Sequence, residues 1–174
     1  MRAQSATRPA AAIAQIPEMA RIYTEGVMAG LIGAVTIAVW FLLLDAFNGR
    51  PLHTPMVLGT ALFRQGAGLD ALEDLKLSLE VVLMYTWVHG LIFCVIGGLA
   101  SKLIALAERN SDIGFGILLF FVFFEFGFLA IVVLFAEPLL HTLAWPAILV
   151  GNMLAAGTMV IYLWRNHPHL AVKP

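Results

Sequence analysis

The strongest constraint on this chain is a set of four long apolar stretches, at residues 22–47, 81–106, 113–136 and 145–164. The hydrocarbon core of a bilayer is about 30 Å thick, so a helix needs about 20 apolar residues to cross it. Each stretch is apolar all round, without the alternation that a membrane barrel strand requires. The sequence therefore predicts an all-α polytopic membrane protein, a bundle of four transmembrane helices.

Composition supports this class and excludes others. Of the 174 residues, 61% are hydrophobic and 12% are charged, which leaves too few charges to cover a soluble enzyme. The net charge of −1 provides no basic surface for nucleic acid. The single cysteine, Cys94, excludes an internal disulfide and a zinc site built from cysteines.

The charged residues predict the organisation of the chain around its membrane domain, residues 22–164. Lys and Arg are concentrated in the N-terminal tail 1–21, the turn after the second span and the C-terminal tail 165–174. Because Lys and Arg favour the cytoplasmic side, both termini are expected there. The N-terminal tail has no apolar core typical of a signal peptide. The first span is therefore expected to act as its own signal anchor.

The outer loop 48–80 predicts two short helices lying on the membrane surface. Thr54 and Pro55 form a suitable N-cap and first helical residue, and Asp70 with Glu73 resembles a capping box. An amphipathic cap over the bundle is the simpler interpretation, and a functional lid is the alternative.

Small residues four positions apart predict where helices approach each other closely. In lipid, such spacing lets two backbones come into contact, either within one bundle or with another subunit. The candidate packing residues are Gly26, Gly30, Gly33 and Ala34 in the first span and Gly151 and Ala155 in the fourth. The third span is rich in Phe, which indicates core filling or, alternatively, a groove for a quinone, pigment or lipid.

Polar residues inside the spans are the leading functional candidates, because an ionisable group in the bilayer is costly unless it is paired. At about 1.5 Å per residue, His89, Glu125 and Asn152 fall at a similar depth on three helices, with Thr36 and Thr86 near them. We expect His89 and Glu125 to face the interior and pair. The layer would fix helix register or, alternatively, handle a proton, a metal or a cofactor.

A second cluster is predicted at the outer surface. Glu137 and His141 are four residues apart, and with His53 and nearby Asp45 they have the chemistry of a zinc or copper site. Ordinary interfacial polar residues are the alternative interpretation. The two remaining histidines, His167 and His169, are expected to be solvated in the C-terminal tail.

Four blocks of sequence resemble a family of small four-span bacterial inner-membrane proteins. They are WFLLLDAFNGRPLHTPMVLGTALF (40–63), TWVHG (86–90), FFEFGF (123–128) and LVGNMLAAGTMVIYLWRNHP (149–168). The resemblance implies the four-span fold and the inner membrane, and it implies nothing about activity.

The sequence lacks a nucleophile motif, a phosphate-binding loop, a dinucleotide fingerprint and a zinc-protease motif. This favours a non-catalytic role as an accessory or structural subunit of a larger membrane complex, such as a redox or energy-converting one. Its expected partners are membrane lipids and other membrane subunits, without nucleic acid. The alternatives are a small bundle binding a proton, metal, quinone or pigment through His89 and Glu125, and an oligomeric transporter. The sequence requires no cofactor, although lipid, quinone or pigment contact is compatible with it.

Overall fold

A computed structural model describes residues 8–64, 77–109 and 145–167, with side chains at 19–64, 77–108 and 146–167. These residues form helices and contain no strand, so the predicted all-α class is confirmed for them. In chain order, the helices are α1 (Arg8–Phe47), α2 (His53–Phe63), α3 (Leu79–Arg109) and α4 (Trp145–Asn166).

Three segments within these helices are long and apolar enough to cross a membrane: Met19–Phe47, Leu79–Glu108 and Pro146–Asn166. They correspond to the first, second and fourth predicted spans, and they indicate a membrane protein. The predicted span at 113–136 and the second short helix of the outer loop lie outside the described residues. Helix α1 begins at Arg8, inside the segment predicted as a tail.

Helices α1 and α3 pack antiparallel. The Ser101 hydroxyl near the end of α3 donates a 2.9 Å hydrogen bond to the Ile22 carbonyl near the start of the α1 span. Closer to the start of α3, His89 Nε2 lies 3.3 Å from the carbonyl oxygen of Ala34. Because the two pairs follow opposite order along the helices, the chain directions oppose each other.

Glycines bring the backbones of α1 and α3 into direct contact. A Cβ atom on Gly26 would lie 2.6 Å from the Cα of Gly98, and one on Gly30 would lie 2.7 Å from the Cα of Cys94. A Cβ on Gly97 would meet the backbone of both α1 glycines. Since backbone atoms cannot move aside as a side chain can, only glycine fits at these three positions.

Helix α4 also runs antiparallel to α1, but side chains make this contact. The Trp40 indole donates a 2.8 Å hydrogen bond from Nε1 to the Ala147 carbonyl, and Gly151 makes room for its ring. Further along, the hydroxyls of Thr36 and Thr158 lie 3.1 Å apart.

The three spans meet in a small apolar core. Ala29, Met159 and Leu163 are its buried members, contributed by α1 and α4. Partly buried hydrophobic residues pack against them, mostly from α3: Phe93, Ile96, Ala100, Ile104 and Tyr162. The core therefore lies in the half of the bundle that contains the start of the α1 span and the ends of α3 and α4.

Helix α2 folds back against the start of α3. Met56 packs with Val81 and Val82 of α3 in a second buried cluster. The turn from α1 into α2 contains two left-handed residues, Gly49 with φ 71° and Leu52 with φ 67°. Glycine adopts this conformation without a steric penalty, whereas a leucine is held there by its surroundings. The short helix predicted to begin at Pro55, after an N-cap at Thr54, occurs as α2, which begins two residues earlier, at His53.

Candidate functional site

His89 is the one histidine within the three described candidate spans, and the structure turns it towards α1. Its Nε2 contacts the Ala34 carbonyl, which can only accept a hydrogen bond, so Nε2 carries the proton. The ring stacks on Tyr85, with centroids 5.8 Å apart and planes 24° apart, and meets Phe93 at 4.7 Å. His89 is therefore fixed by one hydrogen bond and two aromatic neighbours.

The other predicted members of the polar layer that the structure describes do not contact His89 through a hydrogen bond, and the threonines among them have other partners. Thr36 donates to the Ile32 carbonyl at 2.8 Å and faces α4 through Thr158. Thr86 donates to the Val82 carbonyl at 2.7 Å and lies at the cavity that His89 also lines. Asn152 is half-buried on α4.

Glu125 lies outside the described residues, so its pairing with His89 stays a prediction. A cavity of about 230 Å³ lies beside His89, between parts of α1, α2 and α3. Tyr85, Thr86 and His89 line it from α3, and apolar residues of α1 and α2 supply most of the remaining wall. His89 and Thr86 of the predicted polar layer therefore border a cavity large enough for a small molecule.

Asp45, a candidate metal ligand, has a structural partner in α2. Its Oδ2 accepts the Thr54 backbone N–H and its Oδ1 accepts the Thr54 hydroxyl, both at 2.7 Å. A carboxylate at this position binds free N–H groups of the helix start and is favoured by the helix dipole. The aspartate thus joins the end of α1 to the start of α2, and Thr54 acts through Asp45 instead of as the cap itself.

The remaining members of the predicted outer cluster are only partly described. His53 is half-buried at the first residue of α2, next to Thr54. Glu137 and His141 lie outside the described residues. Within the described part of the chain, no group of three His, Cys, Asp or Glu residues could hold a metal ion.

A cluster that the sequence analysis did not identify lies at the opposite end of the bundle. His167, just after α4, donates from Nδ1 to Glu108 of α3 at 2.8 Å and from Nε2 to Glu25 of α1 at 3.0 Å. Arg21 lies 3.3 Å from the same Glu25. The His167 side chain is 2% exposed, so the expectation that it is solvated was wrong; His169 lies outside the described residues.

The geometry of this cluster suits charge-assisted hydrogen bonding. A carboxylate oxygen accepts hydrogen bonds, and each ring nitrogen of His167 faces one of the two carboxylates. The two carboxylates lie on opposite sides of the ring and do not converge on one point, which suits an ionic clamp rather than a metal site. The signal in the sequence was a glutamate near the end of each of two apolar spans. Glu25 lies near the start of the α1 span and Glu108 at the end of the α3 span, and each needs a partner.

The predicted packing residues lie on the surfaces where helices meet. Gly26 and Gly30 contact α3, while Gly33 lies against the Met159 side chain of α4. Ala34 is buried, as is Ala155 on α4.

No protein-family profile matches this chain, and comparisons with curated proteins and with solved structures find no match. The resemblance to a family of four-span proteins therefore stays a prediction, and functional inference depends on the chain itself.

Proposed function

We propose that this chain is an accessory, structural integral-membrane subunit of a larger complex in the bacterial inner membrane, with both termini cytoplasmic. The span at 113–136 completes its bundle as the fourth helix to cross the membrane. Helix α2 lies on the outward-facing surface of the inner membrane. The observation that supports this role is the outward face of α3. That face combines an exposed tryptophan, an apolar row and an open groove.

The apolar row consists of residues four positions apart, which places them on one side of α3. Trp87 is the most exposed member, at 72%. The others are between 58% and 63% exposed: Leu83, Leu91 and Val95. Large aromatic side chains are enriched among the residues that dominate binding energy at protein interfaces.

An open groove of about 400 Å³ runs beside Trp87, between the end of α2 and the start of α3. Phe63 and Met84 contribute apolar walls, and Glu80 places a carboxylate at the end nearest the start of α3. Among the described residues nothing accepts a hydrogen bond from the Trp87 indole, a group that usually finds a partner in an apolar setting.

This chemistry fits a transmembrane helix of a neighbouring subunit that carries Lys or Arg at its membrane boundary. The apolar helix would cover the row on α3, a polar group would accept from the indole, and the cation would face Glu80. The glycine contacts between α1 and α3 make the bundle a rigid support for such a docking face.

Site-specific photocrosslinking in native membranes tests the proposal. A photoreactive residue replaces Trp87 in the full chain, and the control replaces Val160, which is 52% exposed on α4. We expect a discrete adduct with a different membrane protein from position 87 and lipid adducts from position 160. Lipid adducts alone at position 87, or an adduct with a second copy of this chain, would overturn the proposed role.

A second measurement uses side-chain removal. We expect Trp87→Ala to shift the chain from a high-mass species to its own mass on native gels. The control, Ile161→Ala, removes an exposed side chain of α4, away from the row, and should leave the high-mass species intact. If both variants migrate at the same high mass as the unaltered chain, the proposed docking face is contradicted.

A further inference from the structure

The cavity beside His89 is a second feature, and it is independent of any neighbouring subunit. It measures about 230 Å³ and lies between α1, α2 and α3. Ala38 and Leu42 form part of its wall on α1, Leu58 on α2, and Tyr85 on α3. Most of the lining is apolar. The polar residues are Tyr85, Thr86 and His89 on α3, together with Thr54 on α2, whose hydroxyl is bonded to Asp45.

The cavity opens towards the outside of the bundle along α1. Val35 and Val39 both line it, and they are 54% and 49% exposed. These residues belong to the apolar span Met19–Phe47, so the opening lies within a membrane-crossing segment. A ligand would therefore enter from the lipid phase.

His89 supplies the polar group that distinguishes this cavity from an apolar void. Its Nε2 proton is directed to the Ala34 carbonyl, and in the neutral imidazole the other nitrogen, Nδ1, is an acceptor. Among the described residues nothing donates to Nδ1. The His89 ring lines the cavity, so the cavity offers a hydrogen-bond acceptor to its occupant.

The size and the neighbours of His89 favour a ring. An engineered apolar cavity of about 150 Å³ holds benzene, whereas drug-sized ligands occupy about 300 Å³ or more. The present cavity lies between these limits, which suits one substituted ring. Tyr85 stacks on His89 and lines the cavity with it, as does Phe41 of α1, and a ligand ring can pack favourably against such aromatic side chains.

We propose that this cavity binds the hydroxylated ring of a membrane-soluble lipid, a phenol or hydroquinone head group whose O–H donates to His89 Nδ1. The ring occupies the space between α1, α2 and α3, and the lipid tail leaves through the opening beside Val35 and Val39.

Binding of a matched pair of probes to the full chain in lipid nanodiscs tests the hydrogen bond. A 4-alkylphenol is compared with its methyl ether, which keeps the ring and the tail but cannot donate. We expect saturable binding of one alkylphenol per chain and binding of the ether weaker by roughly fivefold, the effect of one hydrogen bond. Equal affinity of the two probes would overturn the role of His89.

Variants test the location. Ala38→Phe places a ring inside the cavity and should abolish saturable alkylphenol binding. Val160→Phe adds the same ring at an exposed position of α4, outside the cavity lining, and should leave binding unchanged. His89→Leu should bring the affinity for alkylphenol down to that for the ether. If His89→Leu fails to fold, the Ala38→Phe comparison and the probe pair still decide the proposal.

Competition distinguishes the sources of the ring. Displacement of the alkylphenol by a short-tailed hydroquinone, but more weakly by its quinone, assigns a redox-active lipid. Displacement by phenolic lipids alone assigns a redox-inactive one. Displacement by the quinone as readily as by the hydroquinone contradicts recognition through an acceptor, because a quinone has no O–H to donate.

Discussion

Helix α1 has two neighbours and uses a different chemistry with each. Towards α3 it presents glycines, and the backbones meet with no intervening side chain. Towards α4 it presents Trp40 and Thr36, and the contact depends on side chains and their hydrogen bonds. A backbone contact cannot adjust to added atoms, whereas a side-chain contact can repack. The first interface is therefore expected to tolerate substitution far less than the second.

The largest effect is expected at Gly30. In Gly30→Ala the new Cβ would collide with the backbone of Phe93 and Cys94, so the helices must separate. We expect the free energy of unfolding to fall by about 3 kcal/mol, the upper range for overpacking. Thermal or denaturant unfolding in detergent measures it.

The control is Gly90→Ala on α3, where a Cβ meets no atom within 4 Å. It should preserve or slightly raise stability, because Ala is the better helix former. Equal losses for the two variants would show that the close α1–α3 contact does not stabilise the bundle.

The next effect concerns the ionic clamp that joins the end of α4 to both other spans. His167→Ala leaves Glu25 and Glu108 without their shared hydrogen-bonding partner, and we expect a loss of about 2 kcal/mol in unfolding free energy. His53→Ala, which removes the half-buried histidine at the start of α2, is the control and should cost less. A negligible change for His167→Ala would mean that the three helix ends are held by packing alone.

A smaller effect is expected for Trp40→Phe at the other end of the α1–α4 interface. The substitution keeps an aromatic ring but removes the N–H that bonds the Ala147 carbonyl, at a cost of about 1 kcal/mol. Trp87→Phe removes an indole N–H that has no partner among the described residues, and its unfolding midpoint in detergent should not change. If Trp40→Phe and Trp87→Phe lower the unfolding midpoint by a similar amount, the cost comes from the smaller ring and not from the lost hydrogen bond.

The smallest effect belongs to the pair of hydroxyls between α1 and α4. Thr36→Val is nearly isosteric and removes the bond to Thr158, so we expect a loss of about 0.6 kcal/mol, typical of hydrogen bonds between membrane helices. Thr24→Val is the control, because the Thr24 hydroxyl bonds only to the Ala20 carbonyl of its own helix. A loss at position 36 larger than that for Gly30→Ala would reverse the ranking of the two interfaces.

The sequence predicted the positions of the helices better than it predicted which residues of different helices contact each other. Long apolar stretches are sufficient to locate spans, since length and hydropathy are local properties. The small-residue pattern identified Gly26 and Gly30, but it did not identify Gly97 and Gly98 as the residues opposite them. A repeat along one helix indicates which face can approach another, and the partner depends on which helix lies beside it.

The polar residues show the same limit. Asp45 looked like a metal ligand because only its residue type and its neighbours along the chain were visible. The turn through Gly49 and Leu52 brings it to Thr54 and makes it a helix cap instead. His167 looked like part of a solvated tail, because its two carboxylate partners are far away in the sequence and close only in three dimensions.

The position of His167 in the chain has a consequence for biosynthesis. Ribosomes make α1 and α3 before α4, so Glu25 and Glu108 enter the membrane before their common partner, His167, is made. Until His167 arrives, the assembled hairpin of α1 and α3 carries two acidic groups near one end with Arg21 as the nearby counter-charge. A nascent chain that stops after the α4 span but before this histidine would contain every described helix and still leave the two carboxylates without their common partner.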